Sequence, residues 1–298
     1  MSRLGVAYTG VLMKGRRAFT RWLPRFALSY LAKEPSVVIG IRHLVRRHLI
    51  PRGTEWVQVQ QGFAKGLWIR IDLAWERSWW AGTHEPAAQD ILRQIIAADT
   101  IFYDVGAHIG FFSLPAARIA ARVIAFEPDP ENAARLRAHV VRNRLNHKLE
   151  VVEAALWSDT TSSITFRTGI PRSQGGVACE KHQPVLAKGS LIQVKAIRLD
   201  NLVSGGGIPA PHIIKVDVEG AASEVLIGAL ETIRMSGPIL FIEIHTWLEY
   251  EEVLQFLKPL AYKVVWNIPP EGFPRQCFAF RRSPHESGVE KYCKWTGG

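Results

Sequence analysis

The feature that most constrains this chain is the regular succession, from residue 86 to residue 280, of short apolar runs and longer amphipathic ones. Thr100–Val105, Val123–Phe126, Leu149–Ala154, His212–Val216 and Pro238–Ile244 read as short strands. Pro86–Ala97, Phe111–Ala121, Pro130–Arg142, Ala222–Ala229 and Tyr250–Leu257 carry helical spacing between them. Strands alternating with helices at this interval predict an α/β fold with a mainly parallel, doubly wound sheet covered on both faces. Lys263–Trp266 and Cys277–Phe280 have no helical pattern between them, which predicts an antiparallel hairpin at one edge. Ile164–Phe166 and Leu191–Ile197 read as paired strands around an irregular insert at Ile170–Gly189, a candidate lid or substrate loop. No internal repeat is visible.

Ahead of this region, alternating residues such as Leu67, Ile69 and Ile71 predict a strand pair within Gln58–Leu73. Trp75, Trp79 and Trp80 follow, an aromatic cluster suited to packing or a lid. Three segments result: a basic extension at 1–52, a short strand and aromatic lead-in at 53–82, and the α/β domain at 83–298.

Charge separates the first segment from the rest. Residues 1–52 hold 11 Lys or Arg against one acid, Glu34, and account for the whole net charge of +10. Lys14, Arg17, Arg21 and Arg25 fall at helical spacing opposite Phe19, Trp22, Phe26 and Tyr30, with Pro24 positioned to kink the helix. A solvated helix, peripheral contact with an anionic membrane surface and an organelle-targeting segment all remain open for it. No apolar run approaches the ~18 residues of a membrane-spanning helix. Cys179, Cys277 and Cys293 are sparse and odd in number, which argues against a disulfide framework and for a reducing compartment, the cytoplasm.

In doubly wound folds, ligands bind beyond the carboxyl ends of the strands, so the residues following each strand carry the function. The first such stretch is Asp104-Val105-Gly106-Ala107-His108-Ile109-Gly110. It is not the dinucleotide fingerprint G-x-G-x-x-G, because His108 and Phe111 stand where the second and third glycines belong. That disfavours a nicotinamide or flavin dinucleotide. Glu127 ends the second strand, where an acid is placed to accept both hydroxyls of a ribose. A glycine turn without the pyrophosphate pattern, joined to a ribose-reading acid, points to a nucleoside ligand without phosphates at that point. The fourth core strand exits through Lys215-Val216-Asp217-Val218-Glu219-Gly220, and the fifth through Glu243-Ile244-His245. Charges at two neighbouring strand ends are costly unless they pair internally or act on something.

The segments Asp104-Val-Gly-Ala-His-Ile-Gly-Phe-Phe-Ser, Phe126-Glu-Pro-Asp-Pro, Ile214-Lys-Val-Asp-Val-Glu-Gly and Ile242-Glu-Ile-His occur in that order. Together, over about residues 83–281, they resemble the FkbM family of S-adenosylmethionine-dependent methyltransferases. The resemblance implies a class I Rossmann-like methyltransferase fold and O-methylation of a hydroxyl on a sugar, glycan or secondary metabolite. It also implies that Asp104, Gly106, Ala107 and Gly110 cradle the methionine part of the cofactor, with Glu85 at its amino group and Glu127 at its ribose. Ala155 and Leu156 would flank the adenine with Trp157 nearby, and Asp217 would lie near the sulfonium and the acceptor.

An alcohol acceptor is a poor nucleophile and wants a base. His245 is the preferred base, oriented by Glu243 or Asp217, while Lys215 either holds an acidic substrate group or pairs with Glu219. Mg²⁺ held by Asp217, Glu219 and Glu243 is the less favoured reading, and a metal-free site is expected. Two rivals stand against a small-molecule or glycan enzyme: a cofactor-binding scaffold without activity, and a nucleic-acid methyltransferase. Against the second, the fourth strand lacks an Asn/Asp-Pro-Pro-Tyr ending, Asn267-Ile268-Pro269-Pro270 resembles it only superficially, and residues 53–298 are neutral overall.

Overall fold

A computed structural model of the chain describes residues 53–73, 75–160, 163–169, 175–178, 189–266 and 274–281. The basic segment 1–52, most of the 170–189 insert, Cys179, Cys293 and residues 267–270 lie outside the described residues.

The lead-in forms an antiparallel pair, β1 (Thr54–Gln58) and β2 (Trp68–Asp72), followed by the short helix α1 (Arg77–Ala81). The domain then runs α2 (Pro86–Ile95), β3 (Ile101–Val105), α3 (Ser113–Ile119), β4 (Arg122–Phe126), α4 (Pro130–Arg142) and β5 (Leu149–Val152). Short strands follow: β6 (Ala155–Leu156), β7 (Ile164–Arg167), β8 (Gly176–Val177), β9 (Leu191–Val194) and β10 (Ala196–Ile197). The chain continues through α5 (Leu199–Ser204), β11 (Ile213–Val216), α6 (Ala222–Gly228), α7 (Leu230–Ser236), β12 (Ile239–Ile244), α8 (Trp247–Leu257), β13 (Lys263–Trp266) and β14 (Arg275–Phe280).

The central sheet has the order β13-β14-β12-β11-β3-β4-β5. Its interior pairs are parallel, and β14 runs antiparallel to both β12 and β13. This is the class I Rossmann-like α/β arrangement, with the expected antiparallel hairpin at its edge.

Alternation along each strand loads both faces of the sheet. Phe102, Val123, Ala125, Ile213, Phe241 and Phe278 enter one buried cluster with Ile91, Leu92, Leu114 and Leu136. Tyr103, Val105, Ile124, Phe126, Ile214, Leu240 and Ile242 enter the other, with Val225, Leu226, Val253 and Leu257. Each fully buried aliphatic or aromatic side chain contributes about 1.5–3 kcal/mol, so the two clusters fix the register of the strand ends that carry the site.

The lead-in packs into the first of these clusters through Leu67, Ile69, Ile71 and Trp79. The edge of β2 meets side chains of α4 in place of a strand. The Arg70 N–H donates to His139 Nε2 (2.7 Å), and the Trp68 N–H to Asn143 Oδ1 (2.8 Å). Asn143 Nδ2 returns a bond to the Trp68 carbonyl, and Arg135 donates to the Arg70 carbonyl and to buried Glu76. His139 Nδ1 lies 2.9 Å from the Ile109 carbonyl. Since its Nε2 accepts a backbone N–H, the ring is the neutral Nδ1–H tautomer, in keeping with burial lowering its pKa to about 4.

Several elements differ from the sequence reading: the strand pair expected within Gln58–Leu73 has its first strand earlier, at Thr54–Gln58, and the helix expected from Tyr250 begins at Trp247 behind the Thr246 cap. The strand expected over Leu149–Ala154 ends at Val152, after which Ala155 and Leu156 pair in parallel with Ala196 and Ile197. Only Leu191–Val194 of the expected Leu191–Ile197 strand pairs with β7, and the two halves of that run belong to different sheets. The helix expected from Phe111 begins at Ser113, because the turn through Gly110 takes up the first residues. The helices α5 and α7, six and seven residues long, are too short to show a helical period.

Candidate active site

The strand order reverses between β3 and β11, and a cleft of about 330 Å³ opens beyond their carboxyl ends. Its floor is the turn after β3. The N–H groups of Gly106 and Ala107 both donate to the Phe126 carbonyl at 3.0 Å, which folds the turn against β4. Gly106 has φ +78°, and a Cβ there would lie 1.9 Å from the Asp217 carbonyl oxygen. Only glycine lets the turn pass this close to the exit of β11. Ala107 and His108 line the cleft, and His108 also sits in the left-handed region at φ +50°. Gly110 is not among the lining residues. Its missing side chain serves packing, since a Cβ there would meet Leu136 of α4 at 2.2 Å.

Glu127, at the end of β4, is 4% exposed. Oε2 accepts the His108 N–H (2.7 Å) and Oε1 the Asp129 N–H (2.8 Å), so each oxygen is held by one backbone donor. Burial pushes its carboxyl up to about 8 against those two donors. Asp129 caps α4 by accepting from the Glu131 and Asn132 N–H groups, and Pro130 occupies the first helical position. Ala155, Leu156 and Trp157 form the neighbouring wall with Phe166 and Val177.

On the other side, Lys215 is 2% exposed and donates to Asp217 Oδ2 (2.8 Å), with Asp104 Oδ1 at 3.8 Å. Burial opposes its charge, and the two carboxylates outweigh that and raise its pKa. Neither sequence alternative for Lys215 is the pairing found, since it pairs with Asp217 and Asp104 and not with Glu219. Asp104 accepts the Ser113 hydroxyl at Oδ2, while its buried Oδ1 has no hydrogen-bond partner. β11 ends at Val216, so Asp217 and Glu219 reach the cleft from a turn and not by strand alternation.

His245 Nε2 lies 3.5 Å from Glu243, 3.8 Å from Glu219 and 4.0 Å from Asp217. Burial lowers its pKa, but Glu243, Glu219 and Asp217 together raise it to about 9. Burial and the Asp217 charge raise the Glu243 carboxyl. Glu249, 1% exposed, fixes the chain here by accepting the His245 N–H (2.6 Å) and the Ala222 N–H (2.7 Å). One oxygen or nitrogen each from Asp217, Glu243 and His245 lie within 4.8 Å of one another, a spacing that would admit a cation.

Glu85 enters from the N-cap of α2 with φ +42°. Its Oε1 is 2.8 Å from His84 Nε2, and its Oε2 accepts from Gln276 Nε2 at 2.9 Å. The sequence reading did not reach Gln276, which stands on β14, between β12 and β13, with no motif around it. It also missed Glu249, for which Thr246-x-x-Glu249, a helix-capping pattern, was the available signal. The structure therefore gathers Glu85, Asp104, Gly106, Ala107, Glu127, Ala155, Leu156, Lys215, Asp217, Glu243 and His245 around one cleft and leaves Gly110 outside it.

Residues 104–264 match the methyltransferase FkbM domain. The chain belongs to the FkbM methyltransferase family. Its relatives include the hexuronic acid methyltransferase AglP of Haloferax volcanii, 29% identical over 179 residues, spanning 57% of this chain and 67% of AglP. The 31-O-demethyl-FK506 methyltransferase FkbM of Streptomyces tacrolimicus is 30% identical over 152 residues, but the match spans 43% of this chain and only 58% of that relative. The 2-O-methyltransferase NoeI of Sinorhizobium fredii is 30% identical over 177 residues, 51% of this chain and 68% of NoeI. The crystal structure of an FkbM methyltransferase from Methylobacillus flagellatus KT superposes with a TM-score of 0.43 at 18% identity. That superposition covers 62% of this chain and 44% of the other, and adds nothing to the family match. Family membership implies use of S-adenosylmethionine. Among the described residues, no helix is long and apolar enough to cross a membrane.

Proposed function

We propose that the chain is an S-adenosylmethionine-dependent O-methyltransferase acting on a hydroxyl of a sugar, glycan or secondary metabolite. The observation that carries this reading is the charge of the cleft. Among the described residues that line it are six carboxylates (Glu85, Asp104, Glu127, Asp217, Glu219 and Glu243), one lysine and no arginine. Such a lining favours a cation and repels phosphates, so it supports a sulfonium nucleoside over a dinucleotide or a nucleic-acid strand. The buried Asp104 Oδ1, which accepts no hydrogen bond, and the two backbone-anchored oxygens of Glu127 offer acceptors of the kind an ammonium and a ribose require. The three named relatives are a hexuronic acid methyltransferase, a 31-O-demethyl-FK506 methyltransferase and a 2-O-methyltransferase, which supports an oxygen acceptor here.

In this reading Glu85, Asp104, Gly106 and Ala107 hold the amino-acid end of the cofactor, Glu127 holds the ribose, and Ala155, Leu156 and Trp157 flank the adenine. The cofactor, when bound, supplies an activated methyl group. Asp217, Glu243 and His245 serve the acceptor. His245 Nε2 takes the hydroxyl proton, and Glu243, 3.5 Å away, orients the ring and balances the imidazolium. Three carboxylates keep that imidazole protonated at neutral pH, and any cationic ligand set against Asp217 lowers its pKa toward the working range. Mg²⁺ has no role in this reading, because Lys215 and the imidazolium already balance the carboxylates it would need. The acceptor-side residues are complete, which favours an enzyme over a scaffold.

Isothermal titration with S-adenosylmethionine and S-adenosylhomocysteine tests the reading first, followed by an acceptor screen of sugars and lipid-linked glycans. Saturable binding with methyl transfer to an oxygen is expected. No binding at millimolar ligand by folded protein would overturn it.

A further inference from the structure

Gln276 lies on β14, beyond the residues that match the family domain, and is 3% exposed. Its Nε2 donates to Glu243 Oε2 at 2.6 Å and to Glu85 Oε2 at 2.9 Å. A primary amide nitrogen carries two hydrogens, and here each is directed at a different carboxylate. Glu85 is also outside the matched residues and arrives from the opposite end of the chain, 191 positions away. Without a donor between them, the buried Glu243 carboxylate and the half-buried Glu85 carboxylate would repel and turn apart. Glu243 in turn keeps its other oxygen 3.5 Å from His245.

We propose that Gln276 is a positioning residue that couples the cofactor side of the cleft to its acceptor side, by tying Glu85 and Glu243 to one amide nitrogen. The inference rests on the assignment of Glu85 to the cofactor's amino group. A change at Glu243 is then felt at the cofactor, although Glu243 serves the acceptor. The coupling disappears when the amide is removed.

The test is a double-mutant cycle read by calorimetric titration with S-adenosylhomocysteine, which needs no acceptor. Glu243→Gln removes a negative charge from the cleft assigned to the ligand's ammonium group and weakens binding of that ligand somewhat in any background. With Gln276 present, the loss should be about three- to tenfold larger than with Gln276→Met, the range of coupling between residues in one hydrogen-bond network. Gln276→Asn, an amide too short to span both carboxylates, should behave like Gln276→Met. It also serves as the second variant if the methionine protein does not fold. Equal effects of Glu243→Gln in the presence and absence of Gln276 would overturn the coupling while leaving the cofactor assignment intact. Failure of the unaltered protein to bind the ligand would overturn the proposed function, and this inference with it.

Discussion

Glu127 provides the sharpest test of how the cleft reads its ligand. Each of its oxygens accepts one backbone N–H, from His108 and from Asp129, the Asn132 side chain bonds to the same carboxyl, and the acceptor capacity left over is what a ligand hydroxyl can use. Glu127→Ala removes both acceptors. Hydrogen bonds to a charged group are worth about 1.5–3 kcal/mol each, and water admitted to the gap recovers part of that. The expected loss in S-adenosylhomocysteine affinity is therefore about 1–3 kcal/mol, or roughly 5- to 150-fold. The isosteric Glu127→Gln should not be silent either. Its NH₂ would face one of the two backbone N–H groups, leaving a buried donor unsatisfied at a cost of about 1–3 kcal/mol in stability.

The raised carboxyl, at about 8, adds a second readout. A ligand that donates to this carboxylate favours its ionised form, so affinity should climb as pH rises from 6 to 9. Binding at pH 7 should release most of a proton through this group. In the unliganded protein the sign is the opposite. The contribution of Glu127 to stability is fully present below its unfolded value and is lost as pH rises through about 8. Titration calorimetry in buffers of different ionisation enthalpy measures the released proton. Unchanged affinity in folded Glu127→Ala, with the proton release intact, would refute the ribose assignment.

Three further outcomes follow from the geometry. His245, faced by Asp217, Glu219, Glu243 and Glu249, has a pKa raised to about 9 in the unliganded protein, so turnover should rise with pH as the neutral base appears, with its midpoint below that value once the cationic cofactor is bound. The stability this group contributes is complete below its unfolded pKa and is lost as pH climbs through 9; a flat rate from pH 6 to 9, or full activity in His245→Ala, would count against it as the base. Arg135→Ala leaves Glu76, 7% exposed, without its ion partner and should cost about 3–5 kcal/mol in urea unfolding, whereas a loss under 1 kcal/mol would mean that the hairpin is held by other contacts. Gly106→Ala should cost about 1–2 kcal/mol from its left-handed backbone alone, with the overlap on the Asp217 carbonyl adding to it, so measurable ligand binding at wild-type strength would contradict the described turn.

The fold was legible in the sequence wherever a strand was long enough to bury both faces, because Ile101–Val105 and Ile239–Ile244 are apolar except for Asp104 and Glu243 and must be covered by two helical layers. The residues after those strands were legible as well, since charged side chains ending an apolar run stand out. The two-residue strands β6 and β10 were not, as pairs this short leave no period and were absorbed into longer neighbours. Gln276 left no trace either. A lone glutamine in a strand of otherwise apolar or basic residues acquires meaning only when Glu85 and Glu243 are brought to it from distant parts of the chain.

The seam between β2 and α4 bears on where this protein begins as a folding unit. Similarity to the family starts at residue 104, yet Arg135, His139 and Asn143 spend their hydrogen bonds on Arg70, Trp68 and Glu76, well before that point. A fragment cut at the similarity boundary would present three polar side chains to empty space and strip Ile69, Ile71 and Trp79 from the core beside them. It would also lose Glu85 and the Trp79 wall of the cleft. Any transplant of this acceptor site into another scaffold must therefore carry the hairpin along, because the smallest portable unit is set by the helix that holds it and not by the boundary of shared sequence.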